Sequence, residues 1–293
     1  MESPPAPVFV RVRRGRNRWV VDEDRVSILD RVGEWGYQEW RNGQGVELIQ
    51  EPTTRLALLV RPDPESPPLF VKVSRFIRLR KRIRSLFRPT DSDKDWEGSL
   101  AAWSRGLPTP RPLALGERRQ WGMLEETYFI TEAVMDSQPS LNLFGGPPEV
   151  VGERAWIGRK RDFIRLFAEL VRHVQDENIL HRQLGPLNIL VPCEFSAPLA
   201  LMFTDNKHLE VRKWVTEEDR VQNLVRTYYQ WLAYLPGKAM RPVDLFRFIR
   251  DYRREGPLAS DKELFRAVMA EVYRQADRYA HRGMIPPLLP PHA

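Results

Sequence analysis

The first hundred residues alternate between apolar and polar positions in short runs, the pattern of half-buried strands. Residues 8–12 alternate weakly, the turn-like Arg14-Gly-Arg-Asn follows, and Trp19-Val-Val resumes the pattern. Gly43-Gln-Gly45 precedes the apolar run 46–49. A Glu51-Pro-Thr-Thr turn then leads to Leu56-Ala-Leu-Leu-Val60, and the Pro-rich residues 62–68 lead to Leu69-Phe-Val-Lys-Val73. Three such runs joined by turns predict an antiparallel meander. Helical spacing takes over at Trp96, Leu100 and Trp103 and stops at Gly106-Leu-Pro-Thr-Pro-Arg-Pro112, because proline cannot continue a helix. Strand-like runs at 112–115 and 128–134 complete this half.

Beyond Gly145-Gly-Pro-Pro148 the period changes. Phe163, Ile164, Phe167, Leu170, Val171 and Val174 share one helical face, and further helical patterns cover 217–235, 243–254 and 261–281. Two short apolar runs, 189–191 and 199–203, interrupt them, and the Pro-rich tail 286–293 reads as irregular. The expectation is an α+β protein in two parts, a β-rich 1–134 and an α-rich 135–293, with the boundary between about 134 and 150.

Composition narrows the class. The chain has 293 residues, 42% hydrophobic and 29% charged, which is globular rather than disordered. One cysteine, Cys193, excludes an internal disulfide framework and fits a reducing compartment. No apolar run approaches the ~18 residues that a membrane span needs. The opening Met1-Glu-Ser-Pro-Pro-Ala-Pro lacks the basic and apolar regions of a secretion signal, so a cytoplasmic protein is expected. Cys193 reads as a buried or half-buried thiol, and Trp156, Trp214 and Trp231 read as packing residues. No His/Cys cluster has zinc-ligand spacing.

The net charge of +7 matters less than where it sits. Between Arg75 and Arg88 lie seven cations and no acid, interleaved with Phe76, Ile77, Leu79, Ile83, Leu86 and Phe87. Such a stretch suits a phosphate-rich partner such as an anionic membrane surface, or it is a solvated helix whose apolar stripe packs on its own domain. Nucleic acid ranks last, since no helix-turn-helix, zinc or RNA-recognition motif accompanies the run.

The chemistry-bearing segment is His181-Arg-Gln-Leu-Gly-Pro-Leu-Asn188, set between an amphipathic helix and a short strand. It matches the His, Arg, Leu and Asn of the kinase catalytic loop at their spacing. Asp205 follows Asn188 by 17 residues, where a metal-binding aspartate belongs, and Lys72 in Phe70-Val-Lys-Val73 resembles the phosphate-holding lysine strand. With Leu86-Phe-Arg-Pro89, Gly106-Leu-Pro-Thr-Pro-Arg-Pro-Leu-Ala-Leu-Gly-Glu117 and Tyr128-Phe-Ile-Thr-Glu132, the chain resembles the bacterial lipopolysaccharide kinases over about residues 40–235.

The resemblance implies a two-lobe protein-kinase-like fold, ATP and Mg2+ as cofactors, and a sugar of a membrane-anchored glycolipid as acceptor at the cytoplasmic face. It implies that Lys72 pairs with nucleotide phosphates and with a carboxylate, either Asp95 or Glu97. Glu132 through Val134 would present backbone to adenine, Asn188 and Asp205 would hold metal, and His181 at the catalytic loop would be architectural or act directly in catalysis. Gly43 to Gly45 would cover phosphates.

The departures bear on activity. Gln183 stands where the family has its catalytic aspartate, and a carboxamide accepts no proton at neutral pH. Asn206 and Lys207 follow Asp205 where acidic residues are expected, and Lys207 would repel a metal ion. General-base catalysis contributes only ~10²–10⁴-fold, the rest being positioning and electrostatics. Two readings stay open: a pseudokinase or scaffold acting through a protein partner, and a weakly active glycolipid kinase.

Overall fold

The alternation in the first half builds one antiparallel sheet. The computed structural model describes residues 7–62, 66–144, 152–234, 242–253 and 261–280. It divides into two compact units, Met1–Met135 and Asp136–Ala293. The first holds β1 (Phe9–Arg14), β2 (Asn17–Asp22), α1 (Leu29–Val32), α2 (Tyr37–Asn42), β3 (Val46–Gln50), β4 (Arg55–Val60), β5 (Leu69–Arg75), α3 (Leu79–Arg84), α4 (Asp91–Trp103), β6 (Pro112–Gln120) and β7 (Met123–Glu132). The strands run in the order β1-β2-β6-β7-β5-β4-β3, every neighbouring pair antiparallel. The expected meander is its β5-β4-β3 half.

The two faces of the sheet are covered differently, and that decides where Lys72 goes. Val71 and Val73 alternate with it and join Trp19, Leu56, Leu58, Tyr128 and Ile130 in the main core. Leu29, Val32, Tyr37 and Trp40 from α1 and α2 complete that core. These two short helices, preceded by a 3-10 turn at Glu23–Ile28, are a correction to the reading of this region as strands and turns. Leu29/Val32 and Tyr37/Trp40 are spaced three apart, a helical spacing in segments too short to stand out by periodicity. Strand period 2 sends Lys72 to the other face with its register partner Phe129, where Trp96 of α4 packs edge-on against Phe129 and Phe9.

The second unit is mostly helical. It contains β8 (Ser137–Pro139), α5 (Ser140–Phe144), α6 (Glu153–Asp176), β9 (Ile179–His181), β10 (Ile189–Pro192), β11 (Met202–Phe203), β12 (Leu209–Val211), α7 (Glu217–Tyr234), α8 (Pro242–Arg253) and α9 (Asp261–Ala280). The apolar stripe of α6 is buried as its spacing predicts, and Phe144, Phe163, Phe167, Trp231 and Phe248 form an aromatic core. α6 packs on α8 and α7 on α9, while β10 pairs with β11 and β8, and β12 with β9. Among the described residues no helix is long and apolar enough to cross a membrane. The Gly145–Pro148 break and the tail 286–293 lie outside the described residues.

Asn17 ties the first unit's loops to its sheet. Its buried amide donates to the carbonyls of Gly33 (2.9 Å) and Trp35 (2.8 Å) and accepts from Arg118 Nε (2.8 Å). Asn17→Ala removes the partner of the Trp35 carbonyl and of Arg118 Nε, while the Gly33 carbonyl keeps the Trp19 indole N–H, so the first unit should lose about 2–4 kcal/mol, measured by urea unfolding.

Candidate functional site

In the first unit, the carboxylate that meets Lys72 is Asp95. Lys72 Nζ lies 2.9 Å from Asp95 Oδ2, and the aspartate side chain is only 4% exposed. Glu97, two residues on along α4, faces solvent. A buried carboxylate is costly without a cation, so β5 and α4 are tied together through this pair. The shorter aspartate suffices because α4 carries it up to the strand.

Glu132 and Val134 sit at the end of β7. The N–H of Glu132 donates to Arg111 O (3.0 Å) and that of Ala133 to Pro68 O (3.0 Å), while the Glu132 carboxylate pairs with Arg25 at 3.5 Å. These N–H groups tie the end of β7 to the chain on either side of it. The glycine turn is a correction. Gly45 has φ +74°, and a side chain there would strike the Arg61 carbonyl at 2.5 Å. That close approach lets β3 start beside β4. Lys72 pairs in register with Ala57, while Gly45 lies beyond Val60, three residues further along the ladder, so Gly43 to Gly45 serve packing instead of covering phosphates at Lys72.

In the second unit, residues 182–188 run between β9 and β10 without a ladder to satisfy their carbonyls. Donors come mainly from one face of α7: Asn223 Nδ2 to His181 O (3.0 Å), Gln230 Nε2 to Arg182 O (2.7 Å) and Trp231 Nε1 to Leu184 O (3.1 Å). Ser140 Oγ donates to Pro186 O (3.0 Å), and Asn188 Nδ2 to Gln183 O (2.7 Å). Gly185 permits this approach, since a side chain there would press on Gln230 Cβ at 3.3 Å. Asn223 is held in turn by Gln175 of α6 (2.9 Å), which accepts from the Tyr252 hydroxyl of α8.

His181 has an architectural place. It is buried, its Nδ1 accepts the Gln183 N–H at 3.1 Å, and its ring packs edge-on against Phe203. Burial pushes its pKa down to about 4, opposed in part by the nearby Asp205 charge and the Thr204 backbone. Gln183 projects into solvent.

Asp205 adopts the left-handed conformation, φ 64° and ψ 50°, which aspartate tolerates better than most residues. Thr204 N–H donates to Asn188 O (2.9 Å), so Asn188 and Asp205 come from adjoining strand ends. Lys207 Nζ lies 2.9 Å from Asp205 Oδ1, and His208 Nε2 stands 3.8 Å from Oδ2. A magnesium ion needs oxygen donors of uncompensated charge. Here the Asp205 carboxylate already carries the Lys207 ammonium at 2.9 Å. A magnesium ion held through Asp205, Asn188 and nucleotide phosphates would have to displace it.

Beside this loop opens a cleft of about 650 Å³, lined by Gln183, Asn188, Asp205 and His208, and by Gln222 and Arg226 of α7. The half-buried Arg226 has no carboxylate partner among the described residues. These α7 residues were not evident as site residues from sequence. Their signal is a run of amides, Gln222, Asn223 and Gln230, on a helix that otherwise reads as core. Two smaller expectations are corrected: Cys193 is exposed, and Trp214 is 61% exposed with Lys213 Nζ 4.8 Å from its ring centre. Trp231 is buried as expected.

A lysine in the middle of a sheet strand, ion-paired to a carboxylate of the following helix, together with a His-Arg loop braced before a short strand, defines the protein-kinase-like class. A solved structure of WaaP in complex with acyl carrier protein superposes with TM-score 0.59 at 18% identity, covering 89% of this chain and 98% of that one. A double-mutant kinase domain of PknI from Mycobacterium tuberculosis gives TM-score 0.43 at 14% identity, covering 77% and 87%. No family model matches the sequence, and no curated protein matches it. The chain has the protein-kinase-like fold that the lipopolysaccharide-kinase resemblance implied.

The depressed His181 pKa sets a pH dependence. Between about 4 and its ordinary 6.5 the unfolded chain binds one more proton than the folded one, so this contribution is complete above pH 6.5 and falls with pH towards 4. The loss is about 3 kcal/mol in all, and His181→Gln should flatten it in urea unfolding of the full chain at pH 5 and 7.

Proposed function

We propose that this is a lipopolysaccharide-kinase-type protein that holds nucleotide phosphates at Lys72 and has lost efficient phosphoryl transfer, acting as a pseudokinase or scaffold. The observation that carries this reading is the Asp205–Lys207 ion pair at 2.9 Å, which puts a fixed ammonium on the carboxylate expected to hold metal. Gln183 supports it, since its carboxamide orients a hydroxyl but takes no proton. A scaffold needs a protein partner, and the binding of acyl carrier protein by WaaP supports one here. The cations between Arg75 and Arg88 are the proposed contact with an anionic membrane or glycolipid, placing a bacterial protein peripherally on the cytoplasmic face of the inner membrane.

The cleft beside Gln183 favours a second reading, slow ATP-dependent phosphorylation of a glycolipid sugar hydroxyl. Arg226 would take an anionic group of that sugar, and Asn188 would orient its hydroxyl.

Calorimetry with ATP separates the two. The pseudokinase reading expects binding that changes little when magnesium is removed, and no transfer to glycolipid. Lys72→Ala should weaken binding by about 10–100-fold, the worth of a charge-assisted hydrogen bond. Magnesium-dependent binding accompanied by transfer establishes the second reading. No binding under any condition removes the nucleotide from both.

A further inference from the structure

The segment between Arg75 and Arg88 does not fold its apolar side chains onto its own unit. Ile77, Leu79, Ile83, Leu86 and Phe87 are all exposed, Phe87 at 82%. Arg78, Arg80, Lys81, Arg84 and Arg88 have no carboxylate partner among the described residues. Alongside α3 lies a cavity of about 390 Å³ whose walls bring Lys81, Arg84 and Arg88 together with Lys94 of α4. The carboxylate in its lining, Asp91, is held by Arg55 at 2.6 Å and leaves these four cations uncompensated.

Like charges around one cavity repel one another, and a compact dianion relieves that repulsion better than a single charge. A phosphomonoester is such a dianion. The neighbouring surface, lined by Arg78, Arg80, Ile83 and Phe87, mixes cations with exposed apolar groups. A soluble phosphate would use none of those apolar groups, whereas a bilayer uses both kinds.

We propose that this cavity binds the phosphomonoester headgroup of an anionic membrane lipid while Ile83, Leu86 and Phe87 enter the acyl boundary. The proposal rests on the reading of this segment as membrane-facing and adds a headgroup site to it. It is independent of nucleotide binding at Lys72.

The test is flotation of the full chain with vesicles of phosphatidylcholine alone, or with phosphatidic acid or phosphatidylglycerol at matched surface charge. Binding should be strongest with phosphatidic acid and absent with phosphatidylcholine. Arg84→Gln with Lys94→Gln removes two cavity cations, and Arg78→Gln with Arg80→Gln removes two outside it. Each pair should weaken binding to anionic vesicles by roughly thirtyfold, but only the cavity pair should abolish the preference for phosphatidic acid. Phe87→Ser should weaken binding to every anionic vesicle and keep the preference. All these side chains are exposed, so unfolding midpoints should match wild type.

If wild type ignores every vesicle, the membrane-facing reading and the proposal fall together. If it binds but shows no preference, or keeps the preference without Arg84 and Lys94, the headgroup site is wrong and the membrane-facing reading stands. Binding of inorganic phosphate or an acidic protein without vesicle binding would also overturn it.

Discussion

The loop after β9 must satisfy its buried carbonyls without the help of a ladder, and the second unit is organised around that constraint. A buried carbonyl without a donor is expensive, so an irregular segment in the interior persists only where side chains reach it. Here the donors are spaced along α7 at 223, 230 and 231, close to two helical turns apart and therefore on one face. Tyr252 and Gln175 brace Asn223 from behind, so three helices fix one loop. The positions of Gln183 and Asn188 follow from this bracing.

Charge pairing does corresponding work in each unit, with different consequences. Lys72 meets Asp95 across the face of the sheet opposite the main core, and the pair links a strand to a helix. Lys207 meets Asp205 within two residues of chain and links nothing distant. The first pair buries the carboxylate and leaves its lysine part-exposed. The second spends a carboxylate on a neighbour, and a cation arriving from solution would have to displace an ammonium already in place.

Much of the fold was legible because its marks are local in the chain. The Phe70-Val-Lys strand, the His181-to-Asn188 spacing and the α6 stripe each announce themselves within a few residues. Asp95 over Glu97 was undecidable from sequence, since both lie on α4 and only the direction of the helix face separates them. The helices at 29–42 escaped because each is barely a turn or two long. The α7 amides were hidden for a different reason: their partners are backbone carbonyls some forty residues away, which no side-chain pattern records. Gly45 misled because a glycine demanded by a close strand contact looks the same in sequence as one that makes room for a phosphate.

The contacts that residue 183 makes to its own loop use its main chain, the N–H to His181 Nδ1 and the carbonyl accepting from Asn188 Nδ2, and not its side chain. Position 183 therefore contributes its backbone to the architecture and leaves its side chain in solvent. A substitution at position 183 changes what the cleft presents without disturbing the bracing by Asn223, Gln230 and Trp231 that shapes it.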